Sequence, residues 1–220
     1  YRRREPCWQL TMGLVAALAL LAGASGESFT TETLRARVQL CLGYNTTLGA
    51  WDTVAHPECD VSAWDTSSVT NMSRLFACEE VGTPCSAPHS AYLFNEDISG
   101  WDTSSVVDMS KMFYSAAMFN QPIGCWDVSR VTTMSFMFFS AASFNRSLNT
   151  WNVASVRDMN CMFLLTDAFN QNLCAWNTSS VTDMQGMFMG SGHFNGDIST
   201  WDGAAVTNFD SFASNSHSFD

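Results

Sequence analysis

Two columns of polar residues recur at fixed distances from a tryptophan, and their side chains are of the kind that bind calcium. The reference tryptophans are Trp64, Trp101, Trp126, Trp151, Trp176 and Trp201. The first column, one residue later, is Asp65, Asp102, Asp127, Asn152, Asn177 and Asp202. The second, seven residues later, is Asn71, Asp108, Thr133, Asp158, Asp183 and Asn208. Carboxylates suit calcium, but Asn and Thr serve equally well as turn or helix caps. We therefore interpret both columns as structural and expect no metal site.

A third polar column follows a phenylalanine near the end of each repeat. Its members are Asn95, Asn120, Asn145, Asn170 and Asn195. An amide side chain both donates and accepts hydrogen bonds, so a column of Asn can satisfy the backbone groups of stacked turns. We expect a structural Asn ladder here. The ladder would bury Asn145 and leave its glycosylation sequon unused.

Residues typical of catalysis do not form a recognisable set. His56, His89, His193 and His217 are scattered and do not have metal-ligand spacing. No G-x-S-x-G motif and no Gly-rich phosphate loop is present. We expect neither an enzyme nor a bound cofactor.

The elements that position these columns follow from the spacing of the tryptophans. The intervals from Trp101 onward are all 25 residues, and the first is 37. The apolar residues at offsets 8, 11, 12 and 15 from Trp have the i, i+3, i+4, i+7 spacing of a helical face. Val at offset 5 and Ile or Leu near offset 22 favour short strands. The sequence predicts an α/β solenoid of about 25 residues per coil, with short parallel strands and one short helical segment in each coil.

Three regions are predicted along the chain. Residues 1–24 have the layout of a signal peptide, with three arginines, an apolar run and a small-residue cleavage site. Residues 25–63 form an N-terminal cap with a helix between Phe29 and Leu42, capped by Thr30 or Thr31. Residues 64–220 form six coils, the last incomplete, with an insertion at about 77–93. We expect this sequence to be a fragment, with an anchor or further domain to follow.

Charge and cysteine content indicate an extracellular protein. Loss of 1–24 removes three arginines and one glutamate, which takes the net charge from −11 to −13. Such a surface repels phosphate backbones and excludes nucleic acid as a partner. Membrane contact is expected only through the signal segment or a missing C-terminal anchor. The candidate glycosylation sites are Asn45, Asn71 and Asn177. The candidate disulfides join Cys41 with Cys59 and Cys78 with Cys85, and Cys125, Cys161 and Cys174 are expected to be reduced and half-buried.

The repeated string resembles a known family of surface proteins. WDTSSVTNMSRLF from Trp64, with the later SSVxDMSxMF and FNxxIxxWD pieces, is similar to the BspA-like leucine-rich repeat found in bacterial and mycoplasma surface lipoproteins and in secreted protist proteins. The resemblance covers about residues 29–220. It implies a leucine-rich-repeat-like solenoid at the cell surface that acts in adhesion or recognition, without catalytic residues.

The expected partner is an extracellular protein or glycan, and the expected location is secreted or at the cell surface. Two alternatives remain open at this point. One is a structural component of a cell wall or extracellular matrix. The other is an ice-binding array formed by the residues at offset 2, which are Thr66, Thr103, Val128, Val153 and Thr178.

Overall fold

A computed structural model describes residues 28–42, 44–45, 50–51, 60–80, 83–84 and 90–216. The predicted signal peptide, Cys59, Cys85, part of the predicted insertion and the side chain of Asn45 lie outside this description. None of the helices in the described residues has the length and apolar character needed to cross a membrane.

Among the described residues, regular secondary structure is confined to the N-terminal region and the insertion. Helix α1 spans Thr31–Cys41, a 3-10 helix spans Val61–Ala63, and helix α2 spans Ser90–Leu93. The described strands are β1 Tyr44–Asn45, β2 Ala50–Trp51, β3 Glu79–Glu80 and β4 Thr83–Pro84. They form two antiparallel pairs, with Tyr44 opposite Trp51 and Glu79 opposite Pro84. The rest of 60–216, as far as it is described, consists of turns and isolated bridges.

Successive repeats lie on one another and are joined by a regular set of backbone hydrogen bonds. Amides at offsets 8, 10, 12 and 14 donate to carbonyls at offsets 7, 9, 11 and 13 of the next repeat. In one step the bonds are Met134 to Asp158, Phe136 to Asn160, Phe138 to Met162 and Ser140 to Leu164, at 2.8–2.9 Å. Isolated parallel bridges join the offset-7 residues from Asn71 through Asn208. Each described repeat step thus satisfies four backbone donors.

The predicted α/β solenoid, and with it the leucine-rich-repeat-like fold, is wrong. No described repeat contains a parallel strand, and none contains a helical segment at offsets 8 to 15. Each described repeat instead has a residue with φ between 52° and 58° at offset 10; these are Arg74, Lys111, Phe136, Cys161, Gly186 and Ser211. Most have a second at offset 14, which are Ser115, Ser140, Leu165, Gly190 and Asn215.

These left-handed residues explain why the prediction failed. An α-helix requires φ near −63° at every residue, so a positive φ at offset 10 interrupts it between the two methionines. Turn bonds such as Met112 amide to Met109 carbonyl, at 3.2 Å, and Ala116 amide to Phe113 carbonyl, at 3.0 Å, take its place. Two successive turns present their side chains at nearly the spacing of a helix. At the predicted strand positions the backbone also forms turns, with bonds from the Val156 amide to the Val153 carbonyl at 2.9 Å and from the Trp151 amide to the Leu148 carbonyl at 3.0 Å.

The core consists of apolar columns that run from repeat to repeat. Val, Met and Phe at offsets 5, 8, 11, 12 and 18 are at most 2% exposed in the four repeats that begin at Trp101, Trp126, Trp151 and Trp176. The offset-12 rings stack in parallel: the Phe113 to Phe138, Phe138 to Phe163 and Phe163 to Phe188 centroid distances are each 5.5 Å. Stacked rings of this kind contribute roughly 0.5–1.5 kcal/mol per pair beyond their burial. The apolar columns therefore stabilise the stack along its whole described length.

Helix α1 covers the first repeat. Thr30 caps the helix, and Leu34 and Val38 are buried beneath it. The Phe29 amide donates to the Asp65 carbonyl at 3.0 Å, and Arg35 Nη2 donates to the Ser73 carbonyl at 2.7 Å. Because each repeat donates its amides to the carbonyls of the next one, the carbonyls of the first repeat have no preceding repeat to bond them. The N-terminal residues supply donors to two of these carbonyls.

Candidate functional site

The offset-1 column forms turn caps. Oδ1 of Asp65 accepts from the amide of Ser67 at 3.0 Å, and Asp127 accepts in the same way from Ser129 at 2.9 Å. The hydroxyl of Ser129, and after it the amide, holds the pKa of Asp127 below its usual value. Asn177 makes the same turn with Ser179. Since Asn and Asp make one and the same bond, the column needs an acceptor and no cation.

The offset-7 column combines a turn cap with a bond to the neighbouring repeat. Oδ1 of Asp158 accepts from the Asn160 amide at 2.9 Å, while Oδ2 accepts from Thr133 at 3.3 Å. Asp183 accepts in the same manner from Gln185 and from Asn208 Nδ2. A parallel bridge places Asp158 and Asp183 in adjacent repeats. No group of three potential metal ligands occurs among the residues described.

The five asparagines of the third column form a hydrogen-bonded ladder. The backbone amides of Asn120, Asn145, Asn170 and Asn195 each donate to Oδ1 of the preceding member, at 2.8–3.0 Å. Asn145 is exposed although its Oδ1 belongs to the ladder. Burial was expected there, but the ladder needs only the amide oxygen and leaves the other face of the side chain in solvent.

The candidate glycosylation sites have different surroundings. The Asn71 amide nitrogen donates to Asp108 Oδ2 at 3.2 Å, so its amide group is engaged on both sides. Asn177 is exposed and uses only its oxygen in the described residues. Of these two, Asn177 has the accessible amide nitrogen that glycan transfer requires.

The residues proposed for an ice-binding array are buried. Thr66, Thr103 and Thr178 are at most 1% exposed, as are Val128 and Val153. The three threonine hydroxyls donate to carbonyls of the next repeat at 2.9–3.0 Å. This column cannot face ice, so nothing in the described surface supports that alternative.

The cysteines divide into bonded and free groups. Cys41 and Cys78 are disulfide-bonded; the partners expected for them, Cys59 and Cys85, lie outside the described residues. Cys125, Cys161 and Cys174 are free thiols; the last two are half-buried, and Cys125 is exposed, where partial burial was expected. Burial, followed by the charges of Asp183 and Asp158, raises the pKa of the Cys161 thiol. A raised pKa is the opposite of what an activated cysteine nucleophile requires.

His193 is the one histidine among the described residues. Its Nδ1 lies 3.3 Å from Oδ1 of Asp167, and both side chains are exposed to solvent. His56, His89 and His217 lie outside the described residues.

An apolar surface stripe is the feature that sequence reasoning missed. We use the name apolar stripe for Tyr114, Phe136, Phe139, Leu165 and Met189, which occupy offsets 10, 13 and 14 of successive repeats and are half-buried or exposed. The rings of Tyr114 and Phe139 stack at 4.5 Å, and Phe136 lies 6.0 Å from Phe139. Leu165 is 48% exposed. The aromatic residues at these offsets were the available signal, but their type changes from repeat to repeat, so they do not form a recurring column.

The stripe continues past the aromatic rings. Atoms of Cys161, Leu164 and Met189 lie within 3.9 Å of the point where a Cβ on Gly186 would stand. Gly186 and Leu164 are buried, so these contacts lie beneath the far end of the stripe, next to the half-buried Cys161 and Met189. Lys111 lies at the other end, with Nζ 5.1 Å from the Tyr114 centroid and 5.6 Å from the Phe136 centroid.

A capped stack of 25-residue repeats, without a catalytic or metal cluster in its described part, defines this chain as a repeat protein. The family described as Mycoplasma protein of unknown function, DUF285, matches residues 54–174 and 147–220. The chain belongs to this family. No curated protein and no solved structure matches the chain.

Proposed function

We propose that the chain is a secreted or cell-surface module for recognition and adhesion, without catalytic activity. The observation that carries this proposal is that the recurring polar positions are structural, whereas the outward-facing positions vary in residue type. The recurring polar columns are engaged in bonds within and between repeats, whereas outward positions such as offset 10 change from Lys111 to Phe136 to Cys161. A constant interior with a varied surface is the arrangement by which repeat proteins present extended binding surfaces.

The sequence supports the proposed location. Residues 1–24 have a signal-peptide layout, and the net charge of −11 opposes binding to nucleic acid. We also propose a sequence relationship to the BspA-like surface repeats, since the Trp-Asp-Thr-Ser-Ser and Met-x-x-Met-Phe strings resemble theirs. That relationship concerns the repeated string and not a leucine-rich-repeat fold.

The test is binding of the full chain, fluorescently labelled, to arrays of extracellular proteins and glycans and to intact cells. We expect saturable binding that an excess of unlabelled chain removes. A chain unfolded by disulfide reduction and alkylation serves as the control. Absence of saturable binding to every extracellular component would contradict the proposal.

A structural role in a wall or matrix is the second candidate. The regular stacking of repeats, held by four backbone hydrogen bonds at each described step, suits a spacer or assembly unit. Concentration-dependent assembly in light scattering would support this role. A monomer at all concentrations would count against it.

A further inference from the structure

The apolar stripe and the carboxylates beside it form a surface with two chemical characters. Half-buried aromatic rings and an exposed leucine provide the apolar part. Asp158 and Asp183, half-buried at offset 7, provide the charged part. The two parts are neighbours, since Asp158 lies three residues before Cys161 in the same repeat and the Cys161 thiol lies beside Leu164 and Met189. Burial, followed by the charges of Asp183 and Asp158, raises the pKa of that thiol.

The two carboxylates stand in adjacent repeats, which a parallel bridge joins at Asp158 and Asp183. Each oxygen accepts a hydrogen bond from a neutral group. In the described residues, no lysine or arginine forms an ion pair with either carboxylate, and Lys111 is the only lysine of the sequence. A cationic side chain of a partner would therefore not have to displace a resident cation.

The stripe already holds one cation on its rings. The Lys111 ammonium lies 5.1 Å and 5.6 Å from the Tyr114 and Phe136 centroids, within the distance of a cation–π interaction. Phe139 stacks on Tyr114 and extends the aromatic surface away from Lys111. The rings can therefore accept positively charged side chains as well as apolar ones.

From this geometry we propose that the apolar stripe, bordered by Asp158 and Asp183, is a docking surface for a basic amphipathic segment of a protein partner. Apolar side chains of the segment pack on Phe139, Leu165 and Met189, while its lysine or arginine side chains pair with the two carboxylates. Charge complementarity selects this occupant, since the whole chain carries a net charge of −11. The inference rests on the proposed recognition function and names its partner class.

The experiment measures binding of the full chain, with its disulfides intact, to a fluorescent synthetic peptide of lysine and leucine by anisotropy. A peptide of about 12 residues is long enough, since four repeats at about 4.8 Å span roughly 15 Å. The control peptide has glutamate in place of lysine. We expect binding of the lysine peptide alone, and an affinity that falls as NaCl is raised from about 50 to about 300 mM.

Two pairs of variants separate the docking surface from general charge. Asp158→Asn with Asp183→Asn should weaken binding roughly tenfold, and the fold should tolerate it because Asn71 and Asn208 occupy the same offset. Asp102→Asn with Asp127→Asn removes equal charge from the offset-1 column, where Asn152 and Asn177 already stand, and should have little effect. Leu165→Ser should also weaken binding. Lys111→Ala should preserve or strengthen it, since a competing cation is removed.

Three outcomes would overturn the inference. The first is failure of the unmodified chain to bind the lysine peptide. The second is an equal loss of affinity in the two double aspartate variants. The third is an affinity that Leu165→Ser leaves unchanged. Binding of a neutral oligosaccharide that depends on Phe139 but not on the carboxylates would assign the stripe to glycans instead. The proposed function is tested separately by the extracellular arrays, so saturable binding there without peptide binding would reject this inference alone.

Discussion

At the scale of single residues, the left-handed positions determine the shape of each repeat. Among the residues with positive φ, glycine occurs only at Gly186 (offset 10) and Gly190 (offset 14), and the others carry a side chain. A left-handed conformation costs a non-glycine residue roughly 1–2 kcal/mol. These positions are therefore places where a single substitution changes stability without a change of contacts.

Ser140→Gly is expected to stabilise the chain by about 0.5–1 kcal/mol. Ser140 has φ 55°, and its equivalent two repeats later is Gly190. Ser143→Gly is the matched control, since Ser143 is also half-buried but does not have a positive φ, and glycine there should be neutral or destabilising. Urea unfolding followed by tryptophan fluorescence measures both. Destabilisation by Ser140→Gly would show that the serine side chain matters more than the backbone strain.

The free thiols should differ in reactivity. Cys125 is exposed, whereas Cys161 is half-buried and has a raised pKa. Because the thiolate is the reactive form, Cys161 should remain largely protonated and unreactive at a pH where Cys125 alkylates readily. Asp158→Asn with Asp183→Asn removes two negative charges that raise the pKa of Cys161 in addition to burial. The double variant should therefore alkylate at Cys161 at lower pH. Alkylation followed by peptide mass mapping across a pH series measures both thiols, and equal rates at every pH would refute the assignment.

At the scale of elements, helix α1 closes one end of the stack. Thr30 and Thr33 form a reciprocal capping box: the Thr33 amide donates to Thr30 Oγ1 at 3.4 Å, and the Thr30 amide donates to Thr33 Oγ1 at 2.8 Å. The cap fixes the helix start next to the bridge between Ser28 and Asp65. The N-terminus of helix α1 is thus fixed against the first repeat.

Thr30→Ala should lower the free energy of unfolding by about 0.5–2 kcal/mol, the usual effect of losing an N-cap. Thr30→Ser keeps the acceptor oxygen and should have a much smaller effect. Chemical denaturation of the two variants and the unmodified chain distinguishes them. Equal losses for Ala and Ser would mean that the threonine methyl group, and not the cap, supplies the stability.

The sequence predicted the period and helix α1 but not the conformation of the repeats. Helix α1 was accessible because capping and apolar spacing are local signals. The block from Met109 to Ala116 gave a false helical signal, since two successive turns repeat at nearly the same spacing as a helix. The residue type does not reveal that a non-glycine residue such as Lys111 adopts a positive φ. The apolar stripe was missed for a related reason. Phe136 and Leu165 belong to it because they lie next to other apolar residues on the surface, and not because the same residue type recurs in each repeat.

At the scale of the whole molecule, stability comes from interfaces between neighbouring repeats. Each step combines four backbone hydrogen bonds with stacked rings, and nearly every contact of a repeat is with the repeat before or after it. In such a stack, stability is approximately a sum of repeat terms and nearest-neighbour terms. The 25-residue register therefore matters more than the identity of any one repeat.

Deletion of residues 151–175 tests this register directly. The deletion joins Thr150 to Trp176 and brings the amides of Met134 and Phe136 opposite the carbonyls of Asp183 and Gln185, which are the equivalent partners one repeat later. We expect a folded chain whose unfolding free energy is lower by about 2–6 kcal/mol, from four lost bonds at about 0.5–1.5 kcal/mol each.

Deletion of residues 151–174 is the control, since it differs by one residue and displaces every later column from its partner. The stacked Trp176 and Phe188 rings would then face polar residues of the preceding repeat, so we expect loss of the near-ultraviolet circular dichroism signal and of cooperative unfolding. If the two deletions were equally stable, the backbone ladder would not be what holds the repeats in place. The shorter deletion removes less of the chain yet should cause the greater damage, because a one-residue shift breaks all the bonds of the step at once.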